Sequence, residues 1–173
     1  MTDFLESTAE FSVGGREAAL YRWFLSRIWD RGRPLLHIIG LNPSTADDRK
    51  SDPTVTREMA RAQAMGFGGL LKTNAYAWRS TDRTALYTLA DPVGHSCDDW
   101  IRAACRRSQQ TIVAWGADCP RVMANRPREI LSILSDERVM PYAFKVVGKG
   151  QPGHPLYLPY SLQPRPLWEL LSE

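Results

Sequence analysis

A three-layer α/β/α sandwich around a central, mainly parallel sheet is predicted by three features of this chain. Short apolar runs of strand length alternate with amphipathic segments of helical period, the pattern made by parallel strands joined through helical crossovers. Several of those runs stop abruptly at polar residues, and in such α/β sheets ligand chemistry collects at the carboxyl ends of the strands. The 173 residues hold no internal repeat, low-complexity tract or linker before the proline-rich end near Pro159, Pro164 and Pro166, so one domain over 1–173 is the simplest organisation.

Phe11-Ser12-Val13 and Leu20 to Trp29 flank Gly14-Gly15. They read as a hairpin in which Arg22, Phe24, Ser26 and Ile28 share a face, with a helix over Glu17 to Trp29 as the rival assignment. Leu35 to Leu41 is a buried strand. Its Gly40 lets the backbone come close to a ligand, and Pro43 ends the ladder, leaving Asn42, Ser44 and Thr45 at the rim. Asp52-Pro53-Thr54 starts a helix that runs through Met59, Ala60 and Ala64 to a stop at Gly66. Leu70 to Tyr76 is the next strand, with its polar step at Thr73-Asn74. Ser80-Thr81-Asp82 then caps the helical-looking Thr84 to Leu89. A helix over Asp98 to Arg107, an apolar strand over Thr111 to Trp115, a helix around Arg121 to Leu134 and a last strand over Ala143 to Val147 complete the series.

A formal charge of +3 permits a polyanionic partner without requiring one. Cys97, Cys105 and Cys119 are odd in number and lack paired metal-ligand spacing, which favours reduced thiols over disulfides or zinc. The start, Met1-Thr2-Asp3-Phe4-Leu5-Glu6, lacks a basic region followed by an apolar one, and no apolar run reaches the length of a membrane span. A cytoplasmic protein with no membrane association and no obligate protein partner is the expectation.

Four strand ends carry chemistry in order: Gly40-Leu41-Asn42-Pro43-Ser44, Lys72-Thr73-Asn74-Ala75, Ala114-Trp115-Gly116-Ala117, and Gly153-His154-Pro155-Leu156 after the last strand. This series resembles the uracil-DNA glycosylase superfamily over roughly residues 35 to 158. That family carries a first motif of glycine, a variable residue, aspartate or asparagine, and proline; a strand ending in a base-reading asparagine; an apolar strand ending in Trp-Gly or a similar pair; and a late histidine-proline motif. The string Leu41-Asn42-Pro43-Ser44-Thr45-Ala46-Asp47, with Asp52-Pro53-Thr54 and His154-Pro155-Leu156-Tyr157, also resembles a large family of bacterial and phage proteins of uncharacterised function. The first resemblance implies hydrolysis of an N-glycosidic bond in DNA or a nucleotide without a cofactor or metal. A non-catalytic nucleic-acid or nucleotide binding module on the same fold is the alternative.

Breaking a base-to-sugar bond passes through an oxocarbenium-like sugar, so the site must stabilise a departing base anion and hold a water at the anomeric carbon. Asn42 orients that water in this reading, but an amide is no base. In the resemblance it occupies the first-motif position, where branches with asparagine are slower or choosier than those with aspartate. Asp47 or Asp48 is the candidate for the missing carboxylate, beside a simpler role in capping and solvation. Asn74 offers both a donor and an acceptor to a base edge, or else bonds its own loop. His154 donates to a carbonyl oxygen on the leaving base, while His37 and His95 read as structural. Gly40, Pro43 and Ser44 line the substrate site, and Tyr76 and Trp78 either stack on a flipped base or belong to the core. Lys72, Arg79 and Arg83 are candidate phosphate contacts. Leu156, standing where the family has a phosphate-holding serine, is a candidate wedge together with Tyr157. Ser44 lacks the glycine-flanked elbow of a hydrolase nucleophile, and Arg49 and Lys50 break up Asp47, Asp48 and Asp52 as a metal cage.

Overall fold

The computed structural model describes residues 4–13, 18–117 and 125–173, together forming one sheet with helices on both faces. At its centre lies β3 (Leu35–Gly40), whose residues after Leu35 are all buried. Alternate side chains of such a strand point to opposite faces. Leu36 and Ile38 enter one core, with Val55 and Ala62 of helix α1 (Pro53–Ala64); Ile39 enters the other, with Ile101 and Ala104 of α2 (Cys97–Arg107) and Ile130 and Leu134 of α3 (Arg126–Asp136).

Ahead of β3, β1 (Glu6–Phe11) and β2 (Arg22–Ile28) form an antiparallel pair, so the hairpin is found and the rival helix is not. The strand β4 (Gly69–Asn74) runs parallel to β3 and antiparallel to β2. On the other side of β3 lie β5 (Gln110–Val113) and then β6 (Pro141–Ala143), both parallel. Near the carboxyl end, β9 (Arg165–Pro166) closes the sheet antiparallel to β6, ahead of the short helix α4 (Leu167–Leu171). The order is β1-β2-β4-β3-β5-β6-β9.

The sheet is therefore mixed rather than mainly parallel, with parallel strands β4-β3-β5-β6 flanked by antiparallel additions at both edges. A second correction concerns the final strand expected over Ala143 to Val147. It breaks at Phe144, which turns into the core, and Val146–Val147 becomes β7, pairing with β8 (Gln151–Pro152) in a separate small ladder. The helix expected around Arg121 to Leu134 begins at Arg126 in the described residues; Arg121–Ala124 and Cys119 lie outside them.

Local chemistry explains the boundaries that frame the strand ends. Asp52 accepts the Val55 N–H at 2.8 Å and Pro53 opens α1, while Gly66 beyond its end takes a positive φ of 85°. Ladder pairing of β4 stops at Asn74, but the Ala75 and Tyr76 N–H groups still donate to the Gly40 and Leu41 carbonyls at 2.8 and 2.9 Å. The ends of β3 and β4 thus leave the sheet together. Cys97 and Cys105 are buried free thiols, and no described helix is long and apolar enough to cross a membrane.

Candidate active site

Beyond the carboxyl ends of β3 and β5 lies a cleft of about 560 Å³. Asn42, Trp115, Gly116 and His154 line it together. Parallel neighbours bring this about, since loops that follow such strands leave the same edge of the sheet. A small annex of about 40 Å³ adjoins it, lined by Asn42, Ser44 and His154 as well as by Arg22, Lys72 and Asn74. That is room for about one water.

Asn42 has a fixed amide. Its Nδ2 donates to the carbonyls of Pro43 at 3.2 Å and Ser80 at 3.0 Å, so Oδ1 is left as an acceptor with no hydrogen-bond partner among the described residues. The Ser80 N–H in turn donates to the Pro43 carbonyl at 2.9 Å, pinning the 80–84 segment to the 42–44 turn. Ser80, Thr81, Asp82 and Thr84 all face the cleft, with Ser44 and Thr54 adding further hydroxyls.

His154 enters on a loop that other elements hold in place. Nδ1 accepts the Leu156 N–H at 3.3 Å, which puts the proton of the neutral ring on Nε2. From α1, Arg57 donates to the Pro155 carbonyl at 3.0 Å, and Arg61 donates to those of Leu158 and Pro159 at 2.8 Å each. Both guanidinium groups also lie over the Tyr160 ring. On the β5 side, the Gly116 N–H donates to the Pro152 carbonyl at 2.8 Å, and a Cβ on Gly116, at φ 85°, would stand 3.3 Å from His154 Cβ. Glycine here gives both the turn and the close approach.

Beneath the cleft, charges are buried in balance. Lys72 Nζ sits 2.6 Å from Glu58 Oε1, with side chains 4% and 0% exposed. Arg22 is fully enclosed and donates to the Ala46 carbonyl at 2.5 Å; burial lowers its pKa to about 10 despite the attraction of Asp52. Burial also pushes the Glu58 carboxyl above its ordinary range, against the pull of Lys72. Asn74 is 3% exposed, and its Nδ2, like Arg22 Nε and Glu58 Oε2, has no hydrogen-bond partner among the described residues. Gly40 also lines the annex, and the absence of a side chain there makes room for these groups. A Cβ there would lie 2.5 Å from Lys72 Nζ and 3.0 Å from Asn74 Oδ1.

A family model described as "Protein of unknown function (DUF1643)" matches residues 22–156. The chain belongs to the DUF1643 family. No curated protein and no solved structure matches it. The DUF1643 match runs from the buried Arg22 to Leu156 beside His154, and so takes in all four strand-end motifs.

Within this DUF1643 domain the other residues singled out by sequence fall in different places. Ser44 and Leu156 line the cleft, and Pro43 is buried beside it. Asp47 does not line it; Oδ1 accepts the Arg49 and Lys50 N–H groups at 2.8 Å each, the capping role. Tyr76 is 0% exposed in the core, and Trp78 packs edge-on against Tyr21 in an isolated strand bridge. Neither ring lines the cleft. Lys72, committed to Glu58, is not a surface phosphate contact, and Arg79 lies over the Phe11 ring and donates to the Ala19 carbonyl at 3.3 Å. The Arg83 side chain lies outside the described residues. His37 is interior, between Thr73 and Thr111, and His95 packs edge-on against Trp23. Among the described residues no group of three or more His, Cys, Asp or Glu is placed to hold a metal ion.

Sequence reading missed Arg22, Glu58 and Asp82. A signal for Glu58 existed: it stands between Val55 and Ala62 at the three- and four-residue spacing of the buried face of α1, an apolar position filled by a charge.

Proposed function

We propose that this DUF1643 protein hydrolyses an N-glycosidic bond, releasing a nucleobase from DNA or a nucleotide, on a uracil-DNA glycosylase-like α/β/α scaffold. The observation that carries this reading is the meeting of Asn42, Trp115 and His154 in one cleft, with Asn74 in the annex that opens beside them. Each has an assignable part. Asn42, its Nδ2 tied to two carbonyls, presents Oδ1 to a water. His154 presents Nε2–H to a carbonyl oxygen of the leaving base, a bond that strengthens as negative charge grows there. The unsatisfied Nδ2 of Asn74 offers a buried donor that reaches the base edge through the one water the annex has room for.

The second reading, a nucleotide or nucleic-acid binding module, is favoured by one observation: position 42 carries an amide, and Asp47, the carboxylate expected to make up for it, does not line the cleft. A mass-spectrometric screen for released bases separates the two. With DNA containing normal, damaged and phage-modified nucleotides, and with the corresponding free nucleotides, the hydrolase reading expects a free base and an abasic product. Binding with no base released from any substrate leaves the module reading in its place.

A further inference from the structure

We propose that Asp82 is the carboxylate of this cleft, taking the proton of the attacking water and facing the positive charge that develops on the sugar. The inference rests on the N-glycosidic reading and supplies what Asn42 lacks, since an amide orients water but accepts no proton from it.

Three observations place Asp82. It is the one acidic residue among the described residues lining the large cleft; Asp52, the acidic residue of the annex, accepts the Val55 N–H at 2.8 Å as the cap of α1. The segment carrying it is anchored to Asn42 itself, through Asn42 Nδ2 to the Ser80 carbonyl at 3.0 Å and the Ser80 N–H to the Pro43 carbonyl at 2.9 Å. From that anchor the backbone is held again: Ser80 Oγ donates to the Asp82 carbonyl at 2.6 Å and accepts the Asp82 N–H at 3.0 Å. The carboxylate is set in turn by Thr84, whose N–H donates to Oδ1 at 2.8 Å and whose hydroxyl stands 2.7 Å from each carboxylate oxygen. A fixed, ionised carboxylate costs no reorganisation when the sugar becomes cationic.

The step balances within the cleft. Water oxygen bonds to the anomeric carbon as the carbon–nitrogen bond breaks, and that bond's electron pair leaves with the base. The water's proton passes to Asp82, then to solvent; the base anion, held by His154 Nε2–H, takes a proton from solvent on release.

The test is single-turnover base release from single- and double-stranded oligonucleotides containing uracil, hypoxanthine or 5-hydroxymethylated pyrimidines, and from the matching nucleotides. Asp82→Asn keeps an acceptor for the Thr84 N–H and hydroxyl while removing the charge, so its thermal midpoint stays at the wild-type value. Its rate is expected to fall by about 10²-fold or more, the lower end of general acid–base contributions. Asp47→Asn leaves the rate unchanged. The wild-type rate is expected to fall on acidification as the base is protonated, and Asp82→Asn to lack that acid limb, a change in pH profile that a purely structural role of Asp82 does not produce. Wild-type release with Asp82→Asn equally fast overturns the assignment while leaving the hydrolase reading standing. No release by the wild-type protein across the panel removes both.

Discussion

His37 shows how a single buried side chain ties sequence to pH. It lies in the interior with Nε2 2.8 Å from Thr73 Oγ1 and Nδ1 3.3 Å from Thr111 Oγ1, and burial, reinforced by the Lys72 charge, pushes its pKa down from 6.5 to about 3. The folded protein therefore keeps a neutral imidazole where the unfolded chain protonates. Between about 6.5 and about 3 the unfolded state binds the extra proton, so stability is lost as pH falls, by up to about 1.4 kcal/mol per pH unit from this group, and is unaffected above that window. Urea unfolding at pH 7, 6, 5 and 4 checks it: His37→Gln is expected to show a shallower acid loss than wild type, and equal slopes would contradict the account. At this scale the sequence was partly legible. Asn42 and His154 stood out as polar residues at the ends of apolar strands, whereas Asp47 read as either a cleft carboxylate or a cap, and it caps the Arg49 and Lys50 N–H groups. Tyr76 and Trp78, read either as stacking rings or as core, lie in the core and packed against it, respectively.

Elements position the site through pairs that no linear pattern announces. The Lys72–Glu58 contact at 2.6 Å joins β4 to α1 beneath the annex, and both partners are almost wholly removed from water. Breaking such a pair leaves a buried charge uncompensated, so Lys72→Met is expected to cost about 3–5 kcal/mol in unfolding free energy, and the Lys72→Met, Glu58→Gln double variant to recover a large part of it. A full double-mutant cycle by urea unfolding measures the coupling; additive losses would show that the two side chains do not act as a pair. The strands and helices themselves were largely visible in periodicity and capping, as at Asp52-Pro53. Invisible were the bonds of Arg57 and Arg61, by which α1 holds the His154 loop through its carbonyls. A bond from side chain to distant backbone leaves no trace in the spacing of either partner.

For the whole molecule, what periodicity revealed was the parallel heart of the sheet, and with it the convergence of strand ends on one cleft. It did not reveal the antiparallel edges, because β9 is two residues long and β2 pairs with a strand more than forty residues later in the chain. Direction of pairing is decided by packing rather than by the residues of one strand. The proposed hydrolysis rests on that cleft, and its most direct test is single-turnover kinetics alongside equilibrium binding for Asn42→Ala and His154→Ala, on a substrate identified by base release. The account predicts that each variant loses about 10² to 10³ in rate, the scale of one preorganised donor, while affinity changes far less, because these contacts strengthen as charge develops. Wild-type rates in both variants, with weakened binding alone, would contradict it.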